Sequence, residues 1–393
     1  MNAGEISAQH YATRLPVRVT WEDGIITGIE HSAGATPQSG ETPGARWIAP
    51  TLFDVQVNGY GGIDFQQDEL SVDELLTAVR ALRRDGCGKF FFTLITAEWQ
   101  TLLGRLRQAR EWRSQSPELL SAIAGWHIEG PFLSDQPGFC GAHDPALMLD
   151  PTDGRIRELK SAVGNDPLLL TLAPERTGAI EAIRLATSLG ITVSLGHTNA
   201  TAVVLREAVQ AGATGFTHLA NGCPRELDRH DNVLWRVCET PGLTVSFIPD
   251  AIHVSPGPFR LLHRLLDGRT IYYATDAMSA GGAPVGRYKL GKVEVEVGPD
   301  QIVRQPGKTN FAGSALRPVQ GVFRAAVMLD CEWNECWHRA SETPARFIGL
   351  KNDISVGAPA NFCVLELEGE QRIRSLRTFA DGVVVGESAD VQR

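Results

Sequence analysis

The sequence predicts an α/β chain, a (β/α)8 TIM-type barrel with a small β-sandwich domain formed by the N- and C-terminal segments. Three observations predict it. Eight short apolar runs alternate with polar turns and amphipathic stretches through the middle of the chain. No glycine-rich nucleotide turn follows the first of these runs, as an open doubly wound sheet would more commonly require. Both ends of the chain carry strand-like segments too short to bury a core alone, so they are expected to pair with each other. The expected division is 1–49 plus 350–393 for the small domain and 50–349 for the barrel, within the size range of one barrel domain.

Taken in order, Val17 to Trp21 alternates, Asp23-Gly24 is a hairpin turn signal, and Ile25 to Glu30 follows as the second strand. Residues 32–45, rich in Gly, Pro, Ser and Thr, read as a loop. The eight barrel strands are expected at Trp47 to Val57, Lys89 to Thr96, Ala122 to Glu129, Leu168 to Ala173, Ile191 to His197, Gly215 to His218, Leu243 to Pro249 and Thr270 to Asp276. Helices are expected at Ser71 to Arg84, Trp99 to Arg113, Gly178 to Leu189, Thr201 to Ala211 and Pro258 to Leu266. Ser71 with Glu74 has the spacing of a capping box. The alternating run Lys292 to Val297 predicts a hairpin within an insertion, Val285 to Asn310, over the barrel mouth. Asn361 to Leu367 and Gly382 to Gly386 read as terminal strands.

Composition narrows the function. Of 393 residues, 43% are hydrophobic and 21% charged, which suits a globular protein with ample core. A net charge of −9 argues against a general nucleic-acid binder but leaves room for a local cationic pocket. The seven cysteines are scattered, with no C-x-x-C pair, and Cys331 and Cys336 are too far apart for a zinc knuckle. With no basic-then-apolar leader and no bilayer-length apolar run, a cytoplasmic protein is expected.

Barrel active sites lie at the C-terminal ends of the strands. Those ends collect Gln56 and Asn58, Thr96, Glu129, Glu175, His197, His218 with Asn221, Asp250 with His253, and Asp276. Pro131 cannot donate to a sheet, so a strand should end at Glu129, leaving a carboxylate that is costly unless paired. Glu129, His197 and His218, each closing an apolar strand, form an open three-ligand set for a divalent metal. Asp276 would point at the same centre, as a turn residue or as a general acid/base.

Taken together, Asp54 to Gly59, His127 to Phe132, Gly141-Ala142-His143, Leu195 to Thr198, Thr217 to Asn221, Asp250 to His253, Thr275 to Met278 and Ala312-Gly313-Ser314 resemble the N-acetylglucosamine-6-phosphate deacetylases of the amidohydrolase superfamily. The resemblance runs in order from about residue 47 to 316 and implies one divalent metal, usually zinc, held by Glu129, His197 and His218. It implies Asp276 as acid/base and His143 as polariser of the acetamide carbonyl. It implies a sugar-phosphate pocket of Ala142, His143, Asn221, Gly222, His253, Ala312 and Gly313. A homodimer is implied too, with an Arg crossing to the neighbouring subunit's phosphate; Arg229 fits better than Arg225. Two departures stand out. Gln56 and Asn58 replace the His-x-His that holds a second metal in many amidohydrolases, leaving outer or vestigial positions. Ala220-Asn221-Gly222-Cys223-Pro224 lacks the aromatic before Asn and the Ala-Met after it. Alternative readings are deacetylation of the galactosamine epimer, a cyclic amidase or deaminase, or a non-catalytic sugar-phosphate-binding barrel.

Overall fold

The computed structural model describes residues 2–31, 46–307, 311–369 and 372–392. The N-terminal strands β1 (Gly4–His10), β2 (Pro16–Glu22) and β3 (Ile25–His31) form a meander. β4 (Arg46–Pro50) lies parallel to β1 and leads through Thr51 into β5 (Leu52–Val57), the first barrel strand. A two-stranded ribbon, β6 (Gly59–Tyr60) and β7 (Ile63–Asp64), follows. The barrel continues with α1 (Val72–Arg84), β8 (Cys87–Ile95), α2 (Trp99–Gln115), α3 (Pro117–Ala122), β9 (Ile123–Glu129), α4 (Asp153–Val163) and β10 (Leu168–Leu172). It is completed by α5 (Ala179–Ser188), β11 (Thr192–Leu195), α6 (Ala202–Ala211), β12 (Gly215–Phe216), α7 (Val233–Glu239), β13 (Thr244–Phe247), α8 (Pro256–Leu265) and β14 (Ile271–Tyr273).

Among the described residues, β5 and β8 to β14 make one eight-stranded parallel sheet in sequence order. The ends meet at a seam where Val57 bridges Ala277 and the Asn58 N–H donates to the Ala277 carbonyl at 2.7 Å. The buried Asp54 carboxylate reinforces it, accepting the Gln56 N–H at 3.0 Å and the Thr275 hydroxyl at 2.6 Å. The seam thus fixes the backbone that carries Gln56, Asn58 and Asp276.

Local sequence explains the helix edges. Ser71 caps α1 and accepts the Glu74 N–H at 3.2 Å, while the Glu74 carboxylate accepts the Ser71 N–H at 2.9 Å. Leu75, Ala78, Val79 and Leu82 then recur on one face and are buried. Thr201 caps α6, which stops at Gly212 with φ +115°, where a side chain would be strained. Under the site strand, Trp126 packs edge-on against Phe92 at 5.9 Å, and its indole N–H donates to Asp166 at 3.1 Å.

After β14 comes a three-stranded antiparallel flap of β15 (Gly286–Leu290), β16 (Val293–Val297) and β17 (Val303–Arg304), where a hairpin was expected. The last residues of the expected insertion, 308–310, lie outside the described residues, as does the expected loop at 32–45. Helices α9 (Pro318–Leu329), α10 (Trp333–Trp337) and α11 (Glu342–Phe347) lead to β18 (Phe362–Glu368), β19 (Arg372–Ala380) and β20 (Val383–Gln392). These join β1 to β4 in one mixed seven-stranded sheet. Within it Trp21 of β2 packs on Phe362 of β18 at 5.4 Å and on Phe379 of β19 at 6.1 Å.

Three expectations change. Trp47 to Val57 is not one strand, because β4 pairs with β1 and β18 while β5 pairs with β8. β1 and β19 lacked strong alternation in sequence and are paired strands nonetheless. Helices α3, α4, α7, α9, α10 and α11 were not expected; the first turn of α4 contains Gly154, a weak helix former, behind the cap Thr152. Among the described residues, no helix is long and apolar enough to cross a membrane.

Candidate metal centre and active site

The strands stop short of the residues that matter most. β11 ends at Leu195, β12 at Phe216 and β14 at Tyr273, and the chain then turns through His197 at φ +49°, His218 at φ +32° and Asp276 at φ +50°. Left-handed backbone is uncommon for residues other than glycine, and three such turns converge at one end of the barrel. Glu129 is the last residue of β9, with a cis peptide following between Gly130 and Pro131.

Glu129 is the hub, only 3% exposed. His218 Nε2 lies 2.8 Å and His197 Nε2 3.5 Å from its Oε1, while His143 Nε2 lies 3.8 Å from its Oε2. The ligand atoms of Glu129, His143 and His197 all fall within 4.8 Å of one another, and His218 joins through the same carboxylate. Burial alone would raise the Glu129 carboxyl, but the His197 and His218 imidazoles beside it outweigh that and hold it well below the usual range. Burial lowers His218, yet the Glu129 carboxylate reverses this and raises it. His143 is pushed down to about 3 by burial and then by His197, so its ring is neutral.

The donor set fits a divalent cation. His197 Nδ1 lies 2.8 Å from the Phe139 carbonyl, which can only accept, so Nδ1 carries the proton. In the neutral ring, Nε2 therefore turns a lone pair toward the Glu129 carboxylate. Two acceptors face each other in a buried pocket, an arrangement that a shared cation satisfies. The His143 ring is set in turn by Thr96, whose hydroxyl lies 2.8 Å from Nδ1. These residues could hold one divalent metal.

Asp276 stands beside this cluster. Its Oδ1 accepts from Gln56 Nε2 at 3.0 Å and Asn58 Nδ2 at 2.7 Å, and Gln56 Nε2 also reaches Glu129 at 3.1 Å. Burial, and then the Glu129 charge, push the Asp276 carboxyl up to about 6. Of the two amides expected as vestigial metal positions, Gln56 thus bridges the two carboxylates while Asn58 binds Asp276 alone.

The remaining expected residues divide. His253 is tied to Asp250 at 2.6 Å and packs on Phe311 at 4.9 Å. Phe311 was not expected; its only sequence signal is that it directly precedes Ala312-Gly313. Gly313 approaches Met278, and Ser314 donates its N–H to the Asp276 carbonyl at 2.9 Å. Asn221 donates its N–H to the His218 carbonyl, while its buried side-chain Nδ2 has no partner among the described residues. Gly222 and Gly141, both at φ +60°, flank the His197 ring, and a Cβ on either would come within 2.8 Å of it. Gly222 therefore has a packing duty beside its expected contact with phosphate. Ala142, beside His143, packs against the flap core. Arg229 is exposed and donates to His230 at 3.0 Å. Arg225 lies over the Phe311 ring at 5.9 Å.

No family model matches the chain. N-acetylglucosamine-6-phosphate deacetylase of Danio rerio is 32% identical over 334 residues, covering 81% of this chain and 80% of that protein. The chain belongs to the N-acetylglucosamine-6-phosphate deacetylase family. N-acetylgalactosamine-6-phosphate deacetylase of Escherichia coli O157:H7 is 30% identical over 328 residues, 84% of each chain. A Mycobacterium smegmatis N-acetyl-D-glucosamine-6-phosphate deacetylase mutant, solved in complex with N-acetyl-D-glucosamine-6-phosphate, superposes with a TM-score of 0.84. It is 29% identical and covers 98% of this chain and 100% of its own. The Thermotoga maritima deacetylase, 23% identical with a TM-score of 0.82, shares the fold over 98% of this chain and 100% of its own.

Proposed function

We propose that the protein hydrolyses the N-acetyl group of N-acetylglucosamine 6-phosphate, giving glucosamine 6-phosphate and acetate. The observation that carries this reading is a carboxylate ringed by three imidazoles, with the raised Asp276 carboxyl beside it, in a chain of the deacetylase family. Glu129, His197 and His218 hold one divalent cation, zinc by the chemistry of the set. When bound, such a cation polarises the amide carbonyl and acidifies water. Asp276 accepts the proton of the attacking water and delivers it to the departing nitrogen, a duty suited to a carboxyl poised near 6. Neutral His143 faces the other oxygen of Glu129 and, with its Nε2 protonated, donates to the carbonyl oxygen as it gains charge. His253, Asn221, Ala142, Ala312, Gly313 and the Gly222 backbone form the sugar-phosphate pocket.

Acetate and free-amine release from a panel of acetylated hexosamine phosphates tests the reading. The glucosamine compound should give the highest kcat/KM. The 30% identity to the Escherichia coli galactosamine deacetylase favours the epimer as the second reading, and a preference for it in the same panel would establish that one. No turnover of either, with tight binding of both, would mean a non-catalytic barrel.

One metal per chain is expected, because the Gln56 and Asn58 amides are poor zinc ligands and are engaged with Glu129 and Asp276. Elemental analysis of protein purified without added metal should find about one ion. Two stoichiometric zinc ions would show that the amides do not block a second site.

The protein works as a homodimer in the cytoplasm, where its seven free thiols stay reduced. Arg229, on a loop beyond β12 and with no carboxylate partner among the described residues, reaches the partner's phosphate with its planar fork. Arg229→Ala should raise KM for the phosphorylated sugar far more than for the unphosphorylated one. Refolding Arg229→Ala together with Asp276→Asn should restore activity, since each mixed dimer then has one intact site. A mixture as inactive as its parents would place the Arg in its own subunit's site.

A further inference from the structure

We propose that Cys331 and Cys336 form a thiol–disulfide exchange site at the joint between α9 and α10, closing reversibly when a small-molecule disulfide is supplied. Their sulfurs lie 3.7 Å apart. The local chain explains why. α9 ends at Asp330 in a left-handed turn, and the Cys331 N–H returns to the Ala326 carbonyl at 3.1 Å. Glu332 then caps α10 in a reciprocal box with Glu335. This puts Cys331 just before the cap and Cys336 on the first turn, the two positions that pack together as a hydrophobic staple. Here both staple residues are thiols.

The pair is asymmetric in the way exchange requires. Cys331 is partly exposed and Cys336 is 1% exposed. The contact with Cys336 holds the Cys331 thiol below its ordinary value, and the same contact with burial pushes Cys336 up. Being the more exposed, Cys331 is the attacking thiol, and buried Cys336 the resolving one. With oxidised glutathione, the Cys331 thiolate forms a bond to one glutathione sulfur, breaking the glutathione S–S bond and releasing one glutathione thiolate. Cys336 loses its proton and attacks the Cys331 sulfur, releasing the second glutathione. The balance is one protein dithiol and one glutathione disulfide giving one protein disulfide and two glutathione thiols. Closing draws the sulfurs from 3.7 Å to about 2.0 Å.

The bond would staple a strut. From α10, the Trp337 indole N–H donates to the Pro50 carbonyl at 2.9 Å and Asn334 donates to the Tyr11 carbonyl at 3.0 Å. Trp333 packs edge-on against Trp47 at 5.6 Å. Closure therefore fixes the helix that braces the seven-stranded sheet against the barrel.

The test treats the reduced, full-length protein with oxidised glutathione, quenches in acid and reads intact and peptide masses. Expected is a product lighter by two hydrogens, without a retained glutathione, linked between 331 and 336 and reopened by dithiothreitol. Cys336→Ser should instead accumulate a stable glutathione adduct on Cys331, and Cys331→Ser should give no closure. If either variant fails to fold, the wild-type masses still decide, together with a rise in the wild-type Tm on oxidation that dithiothreitol reverses. A lasting adduct on Cys331 in the wild type, a link through another cysteine, or no reaction of the folded protein would overturn the proposal.

Discussion

Glu129→Gln should leave a folded barrel that holds no tight metal and releases no acetate above background. Gln keeps the shape, and its carbonyl oxygen can still accept from Gln56 Nε2, so circular dichroism should be unchanged. What it loses is the charge at the hub. His197, His218 and His143 converge on this one carboxylate, and an amide is a poor ligand beside imidazole. Loss of even an outer-shell partner costs metal affinity roughly 10–100-fold, and Glu129 is at the centre, so the loss should be larger. Equilibrium dialysis against a divalent metal, alongside the acetate assay, checks both halves. A variant that keeps stoichiometric metal would remove Glu129 from the ligand set.

Asp276→Asn separates metal from proton transfer. The Asn carbonyl oxygen can take the bonds from Gln56 Nε2 and Asn58 Nδ2 that Oδ1 accepts now. Fold, metal content and KM should therefore stay near wild type, while kcat falls by roughly 10²–10⁴-fold, the usual contribution of one acid/base group. Turnover near wild type would reduce Asp276 to a turn residue.

Much of this was legible in the sequence, because barrels put chemistry where strands end. Glu129 before Gly130-Pro131, and the histidines after two apolar runs, marked the centre without coordinates. Other features depend on partners that sequence spacing does not report. His143 arrives from the long segment after β9, and only the fold brings its Nε2 to within 3.8 Å of Glu129. The left-handed turns at His197, His218 and Asp276 use residues with no glycine to announce them. Gln56 and Asn58 were legible as missing metal ligands, but not Gln56 as a bridge between two carboxylates or Asn58 as a donor to Asp276. The run from Trp47 to Val57 looked continuous because both halves are apolar. Only the pairing of β4 with β1 and β18 shows that the chain changes sheets at Thr51.

The measurement that bears most directly on the central claim is acetate release from N-acetylglucosamine 6-phosphate by one preparation in three states: as purified, stripped with chelator, and reloaded with about one equivalent of zinc. Metal-dependent amide hydrolysis predicts acetate and glucosamine 6-phosphate in equal amounts, loss of both on stripping, and recovery on reloading. Equal rates in the stripped and reloaded states, or no acetate in any state, would contradict it.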